Sequence, residues 1–206
     1  MKHNTRRKGI KRKKRKTYKR KTYVATDFNS GDGMLVNVWG PPLWHFLHLT
    51  SFNYPVVPSK KDKVNYKSLI LNLENILPCG YCRQNFKKNL KMHPLNDSAL
   101  KNRNSFSRWV YKLHELVNTM LGKKSGLKYC DIRERYEHFR SRCTQPHKTA
   151  SIGTLKNFIN NKKKEKGCTE PLYGKKSRCL LKIVPDNKKD VSLYIDKSCI
   201  KKRLKS

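Results

Sequence analysis

At 206 residues the chain has room for one main domain and a small appendage, and 36% apolar residues is enough for a modest core. Its 49 Lys and Arg against 14 Asp and Glu give a net charge of +35, which implies contact with polyanions such as nucleic acid, an anionic membrane surface or acidic proteins. No apolar run approaches the roughly 18 to 20 residues that span a bilayer, and none follows the first charges as a secretory signal requires, so the expectation is a soluble protein on the cytosolic or nuclear side.

In chain order, residues 1–21 hold thirteen Lys or Arg and no acid, leaving +22 for the remainder once those thirteen are subtracted. Such a segment cannot bury a core and is expected to be a disordered basic arm, either a nucleic-acid contact or a solubilising tail. Residues 22–38 read as an irregular connector with a turn at NSGDG. The stretch WGPPLWHFLHLTSFNYP predicts a first helix, with the prolines in its first turn, Trp44 and His48 on one face, and Tyr54-Pro55 as its stop. Ser59 caps a second helix whose stripe is Val64, Leu69, Ile70, Leu73, Ile76 and Leu77, closed by Pro78. A third runs from near Cys79 to about Met92, and HPLNDSALKNRN reads as a polar crossing. The fourth starts at Asn104 or Ser105 and faces Phe106, Trp109, Val110, Leu113, Val117, Met120 and Leu121 inward until Gly122. A short fifth helix follows Cys130 through Phe139. Residues 151–167 read as a helix or basic linker, and CLLKIV and VSLYID as two short strands. The predicted fold is mainly α: a four-to-five-helix bundle with a small C-terminal β appendage and a disordered basic N-terminal arm.

Seven cysteines are unexpected in a reducing compartment, where structural disulfides are rare. Cys79 and Cys82 form a C-x-x-C pair, which zinc sites and redox dithiols both use. No second C-x-x-C accompanies it, so no metal site is assigned. The flanks are amphipathic helices rather than the strand of a thioredoxin-like unit, and the pair opens a helix. There the helix dipole, with Arg83, Lys87 and Lys88 in the next turns, favours a thiolate, as disulfide exchange requires. A dithiol that only exchanges needs an electron sink, which directs attention to a cofactor.

The motifs WGPPLWHFLH followed by YP, PCGYC, WVYKLHELVNTMLGK and YCDIRERYEHFRSRC occur in the order and near the spacing of the Erv/ALR-type FAD-linked sulfhydryl oxidases, and residues 38–143 resemble most closely the versions encoded by large DNA viruses. The resemblance implies three segments: an arm and connector over 1–37, an FAD-binding helical oxidase domain over 38–145, and a basic linker with a small Cys-containing strand module over 146–206. It implies a catalytic pair in Cys79 and Cys82, with substrate thiolate attacking at Cys79 and Cys82 passing electrons to the flavin and on to O2, giving H2O2. It implies FAD contacts from Gly40, Trp44, His48 and Tyr54, from Trp109, Tyr111, His114, Val117, Asn118 and Lys123, and from Arg135 and Tyr136, the last standing where the family often has tryptophan. His114, Val117, Asn118 and Leu121 share one helix face, and Lys123 can neutralise phosphate charge. His45 and His93 gain no role and read as surface or ordinary structural residues.

As in the family's second pair, Cys130 and Cys143 are expected to form a structural disulfide, although twelve residues intervene here where the family commonly has sixteen. Two of Cys168, Cys179 and Cys199 are expected to staple the appendage. The expected partners are a protein thiol or thioredoxin-like redox carrier, O2, nucleic acid through residues 6–21 and a second copy of the chain, with no membrane; the expected setting is host cytoplasm or virion. The competing reading is a redox-inactive basic nucleic-acid-binding or assembly protein.

Overall fold

The computed structural model describes residues 22, 24–31, 33–144, 167–188, 190–191 and 193–199. The basic arm over 1–21 and the segment 151–166 lie outside them. The chain divides into two compact units, Met1–Asp32 and Gly33–Ser206. In the described part of the first, a 3-10 turn, Ala25–Asn29, is closed by Asp27, whose carboxylate accepts the Val24 amide at 3.0 Å.

Among the described residues the second unit holds five α-helices: α1 (Val36–Asn53), α2 (Lys60–Ile76), α3 (Gly80–Met92), α4 (Arg103–Met120) and α5 (Tyr129–Glu137). Helix α1 packs on α4 and α5, α2 packs on α3, and α3 and α5 also touch α4. Local chemistry accounts for most of the boundaries. Ser59 caps α2 by a reciprocal box with Asp62: its hydroxyl accepts the Asp62 amide at 3.1 Å while the Asp62 carboxylate accepts the Ser59 amide at 2.8 Å. Asn102 caps α4 by accepting the Ser105 amide at 2.9 Å. Gly122, at φ +67°, ends α4 where a left-handed residue is needed.

Helix α1 begins earlier than expected, at Val36, so Pro41 and Pro42 stand inside it rather than in its first turn. The early turn forms because the Val38 and Trp39 amides find the Leu35 carbonyl, at 3.0 and 3.3 Å, ahead of the prolines that donate nothing. Two arginines satisfy carbonyls at the other end of α1: Arg140 Nη2 donates to Phe52 at 2.8 Å and Arg103 Nε to Tyr54 at 2.6 Å. Arg140 is itself held by both carboxylate oxygens of Glu137, each at 2.7 Å.

The core is built from Leu47, Tyr54, Ile70, Leu73, Leu77, Phe86, Phe106, Trp109, Val110 and Leu113, with Trp39, Leu43, Trp44, Tyr66, Cys82 and Leu90 packed against it. The α2 stripe is narrower than expected, since Val64 and Ile76 are about two-thirds exposed. The supposed polar crossing between α3 and α4 instead drives Leu95, Ala99 and Leu100 into the core, because two spaced apolar groups in a turn can plug the gap between helices that a helical period would not reveal.

The β appendage is real but lies elsewhere. Strand β1 (Ser141–Thr144) pairs antiparallel with β2 (Gly167–Pro171), Ser141 opposite Pro171 and Arg142 opposite Glu170. Residues 179–184 and the described part of 191–196 form no strand, with Leu180, Leu181, Ile183, Val191 and Tyr194 each more than 70% exposed. With those side chains in solvent, these two segments bury too little to hold a hairpin together.

Candidate active site

The C-x-x-C pair sits where α2 hands over to α3. Pro78 cannot continue α2, and Cys79 then adopts the extended geometry of an N-cap, φ −160° and ψ 117°, with its Sγ accepting the Cys82 amide at 3.2 Å. The two Sγ atoms are 2.6 Å apart, so a small movement brings them to disulfide distance. The Leu77 carbonyl accepts both the Cys79 amide, at 2.7 Å, and Arg83 Nη1, at 2.6 Å.

This arrangement separates the two thiols chemically. The Cys82 thiol and amide, donating to Cys79 Sγ, hold the Cys79 thiol below the usual cysteine range, with the Tyr81 amide and the Arg83 charge adding to them. Burial against the core, then its hydrogen bond and proximity to Cys79, push Cys82 up to about 11. Of the two, Cys79 is therefore the thiol that gives up its proton first, and Cys82 the one that keeps it.

Trp44 and His48 project from one face of α1, His114 from α4 and Tyr136 from α5, and the structure brings all four together. The Trp44 indole lies parallel on the His114 ring, centroids 4.0 Å apart and planes 7° from parallel. His48 Nε2 and His114 Nδ1 share a hydrogen bond of 3.0 Å, and the Tyr136 ring stacks over His48 at 5.0 Å. His48 is 2% exposed, and its other nitrogen, Nδ1, is buried with no hydrogen-bond partner among the described residues. Burial lowers His48 to about 3, helped by His114 and His45, and lowers His114 to about 4, so both rings are neutral at pH 7. Between two neutral rings one proton serves the shared bond, and the orphaned Nδ1 is a polar group buried at a cost of about 1–3 kcal/mol until something meets it. Trp44 and Cys82 pack against the same core.

The other expected cofactor contacts divide into two groups. Gly40 is buried in α1, Val117 and Asn118 are half-buried on the face of α4 that carries His114, Arg135 is half-buried beside Tyr136, and Lys123 is exposed just beyond Gly122 with its amide on the Asn118 carbonyl at 2.8 Å. The Tyr54, Trp109 and Tyr111 polar groups are already committed. The Tyr54 hydroxyl donates to the Leu100 carbonyl at 2.9 Å in the fully buried core, Trp109 Nε1 donates to Pro94 at 3.1 Å under a stacked His93, and the Tyr111 hydroxyl donates to Leu127 at 2.8 Å. His45, read from sequence as ordinary, reaches the cluster through its Nδ1 and the Tyr136 hydroxyl, 3.3 Å apart. Its place three residues before His48 was the available signal.

The expected Cys130–Cys143 disulfide is not made: Cys130 is a free, exposed thiol in the first turn of α5. Seven helical residues carry the chain about 10 Å away from it by the end of α5, and β1 then runs into its pairing with β2 instead of folding back along the helix. Cys168, on β2, is disulfide-bonded, while Cys179 and Cys199 are free.

Residues 41–140 match the Erv1 / Alr family. The chain is 36% identical over 86 residues to a protein named "Probable FAD-linked sulfhydryl oxidase" from Acanthamoeba polyphaga mimivirus, a match spanning 42% of this chain and 60% of that one. It is 32% identical over 115 residues to an FAD-linked sulfhydryl oxidase of African swine fever virus, spanning 56% of this chain and 93% of the relative, and 33% identical to an Arabidopsis thaliana FAD-linked sulfhydryl oxidase over 41% of this chain and 42% of that protein. With nearly the whole of the swine fever virus protein covered, and with the dithiol and the Trp44, His48, His114 and Tyr136 cluster inside the matched residues, the chain belongs to the Erv1 / Alr family.

Proposed function

We propose that the chain is an FAD-dependent sulfhydryl oxidase that makes disulfides in protein thiols, and the observation that carries this is the unequal dithiol of Cys79 and Cys82, poised 2.6 Å apart at the start of α3. In the oxidised state a substrate thiolate attacks Cys79 Sγ, forming a mixed disulfide and expelling the Cys82 sulfur, which takes up a proton as its high affinity for one demands. A second substrate thiolate then attacks the substrate sulfur and expels Cys79, whose low proton affinity makes it the better leaving group. The substrate has lost two electrons and two protons, and the enzyme pair has become a dithiol.

Bound FAD would supply the acceptor for that electron pair and its route to O2, giving H2O2. The residues present fit such a group: a parallel indole and imidazole offer a flat apolar wall, the orphaned His48 Nδ1 lacks a polar partner, and the neutrality of both histidines keeps positive charge out of the wall. Trp44, His48, His114 and Tyr136 would hold the rings, with Gly40, Val117, Asn118 and Arg135 beside them and Lys123 toward phosphate. The viral relatives support a virus-encoded enzyme; virion proteins or a thioredoxin-like carrier are its expected thiol partners, and host cytoplasm or virion its expected setting. No helix among the described residues is long and apolar enough to cross a membrane. Apolar side chains left exposed on α1 and α2, including Phe46, Val64 and Ile76, support a second copy as partner. The thirteen basic residues of 1–21 support a tether to nucleic acid; unchanged DNA affinity after their deletion would remove it.

The deciding experiment is a visible absorption spectrum of purified protein with oxygen uptake on adding a dithiol. Stoichiometric flavin and uptake abolished by Cys79→Ser and by Cys82→Ser are expected. A colourless, inert protein returns the chain to the basic nucleic-acid-binding reading.

A further inference from the structure

We propose that the extended segment at Gly33 and Met34, reaching across from the start of α1, is a positioning element for Cys79, a role that rests on the oxidase reading of the dithiol. The Met34 amide donates to the Pro78 carbonyl at 2.8 Å, and the Met34 carbonyl is in turn held by Trp39 Nε1 at 3.1 Å. Gly33 adopts φ +100°, and a Cβ there would stand 2.8 Å from the Pro78 oxygen and 3.4 Å from the Cys79 Cα, so the close approach requires glycine twice over. On the other side of the same short link, the Leu77 carbonyl is pinned by Arg83 Nη1 at 2.6 Å.

The Pro78 carbonyl belongs to the peptide that precedes Cys79, so the segment fixes where that peptide and the Cys79 Cα sit at the start of α3. From that Cα the sulfur reaches the Cys82 amide, 3.2 Å away, as an N-cap acceptor. A Cβ at Gly33, 3.4 Å from the Cys79 Cα, would push the link, and the sulfur with it, away from that amide and from the Cys82 thiol, the two donors that favour its thiolate. The segment thus acts through backbone alone: it touches neither substrate nor sulfur, and it sets how strongly the sulfur that meets substrate favours its thiolate.

The test is the pH dependence of iodoacetamide alkylation at Cys79 in the reduced full-length protein, read by peptide mass spectrometry, in wild type, Gly33→Ala, Trp39→Phe and Gly31→Ala. Among the described residues, apart from its own chain neighbours, nothing lies within 4 Å of a Cβ at Gly31, which makes that variant the control. Gly33→Ala is expected to move the alkylation profile to higher pH and slow the reaction at pH 7 about fivefold, the scale of losing one capping hydrogen bond, with the limiting rate at high pH unchanged. Trp39→Phe, which removes the indole donor and keeps a ring in the core, shifts the profile the same way by a smaller factor, and Gly31→Ala does not shift it. Superimposable profiles for wild type and Gly33→Ala overturn the proposal; if Gly33→Ala does not fold, an unshifted Trp39→Phe profile overturns it. A shifted profile in a protein without flavin or oxygen uptake supports the positioning role and overturns the oxidase reading alone.

Discussion

Acid should destabilise this protein through two buried imidazoles, and the size of the effect follows from the structure. His48 and His114 sit near 6.5 when unfolded and are lowered to about 3 and about 4 when folded, chiefly by burial. Above pH 6.5 both states hold neutral rings and the pair contributes no pH dependence. As the pH falls below 6.5 the unfolded chain binds protons that the folded one refuses, so stability drops until the pH reaches the folded values, first for His114 and then for His48. Each ring costs about 1.4 kcal/mol per pH unit in that window, so the two together remove up to about 4 kcal/mol between pH 6.5 and 5. That is a large share of the 5–15 kcal/mol typical of a domain. The assay is urea unfolding at pH 8, 6.5 and 5, without flavin, for wild type and for a double variant, His48→Gln with His114→Gln. Wild type should lose about 4 kcal/mol more than the variant on going to pH 5, since the carboxylates common to both cancel. Parallel losses within about 1 kcal/mol in the two proteins would refute burial of neutral rings as the origin of acid sensitivity.

Titrating the reduced protein by thiolate absorbance should show Cys79 ionising below the ordinary cysteine range and Cys82 near pH 11; Cys79→Ser should bring the Cys82 transition down, because its hydrogen bond and the neighbouring charge both disappear. Trp44→Ala removes the ring stacked on His114 and should weaken flavin retention about tenfold, read by fluorescence of released flavin, the scale of one lost aromatic contact. Tyr54→Phe should cost about 1–3 kcal/mol in urea unfolding, by leaving the Leu100 carbonyl buried without a donor, while flavin stoichiometry stays as in wild type; loss of flavin at unchanged stability would restore Tyr54 to the binding wall.

Features governed by nearest neighbours were legible in the sequence. Ser59 with Asp62, Pro78 before Cys79 and Gly122 after Met120 mark helix ends by interactions within four residues, so the order and approximate spans of the five helices could be read directly. The dithiol was legible for the same reason, because an N-cap cysteine and its partner three residues on form one local turn. Trp44 with His48, and His114 with Asn118, could be assigned to helix faces by period alone.

What period could not determine was which faces meet. The Tyr54 and Trp109 polar groups find carbonyls at Leu100 and Pro94, and only the packed bundle shows those carbonyls within reach. Cys130 and Cys143 could be paired on paper, yet the pairing of β1 with β2 carries the chain elsewhere. Gly33 reads as one more turn glycine until Pro78, 45 positions on, is seen pressed against it. Sequence alone determined the helices and the chemistry each one carries, because those depend on contacts a few residues long. Tertiary structure decided which polar groups were already satisfied and which, like His48 Nδ1, were left to act, because that depends on contacts between residues far apart in the chain.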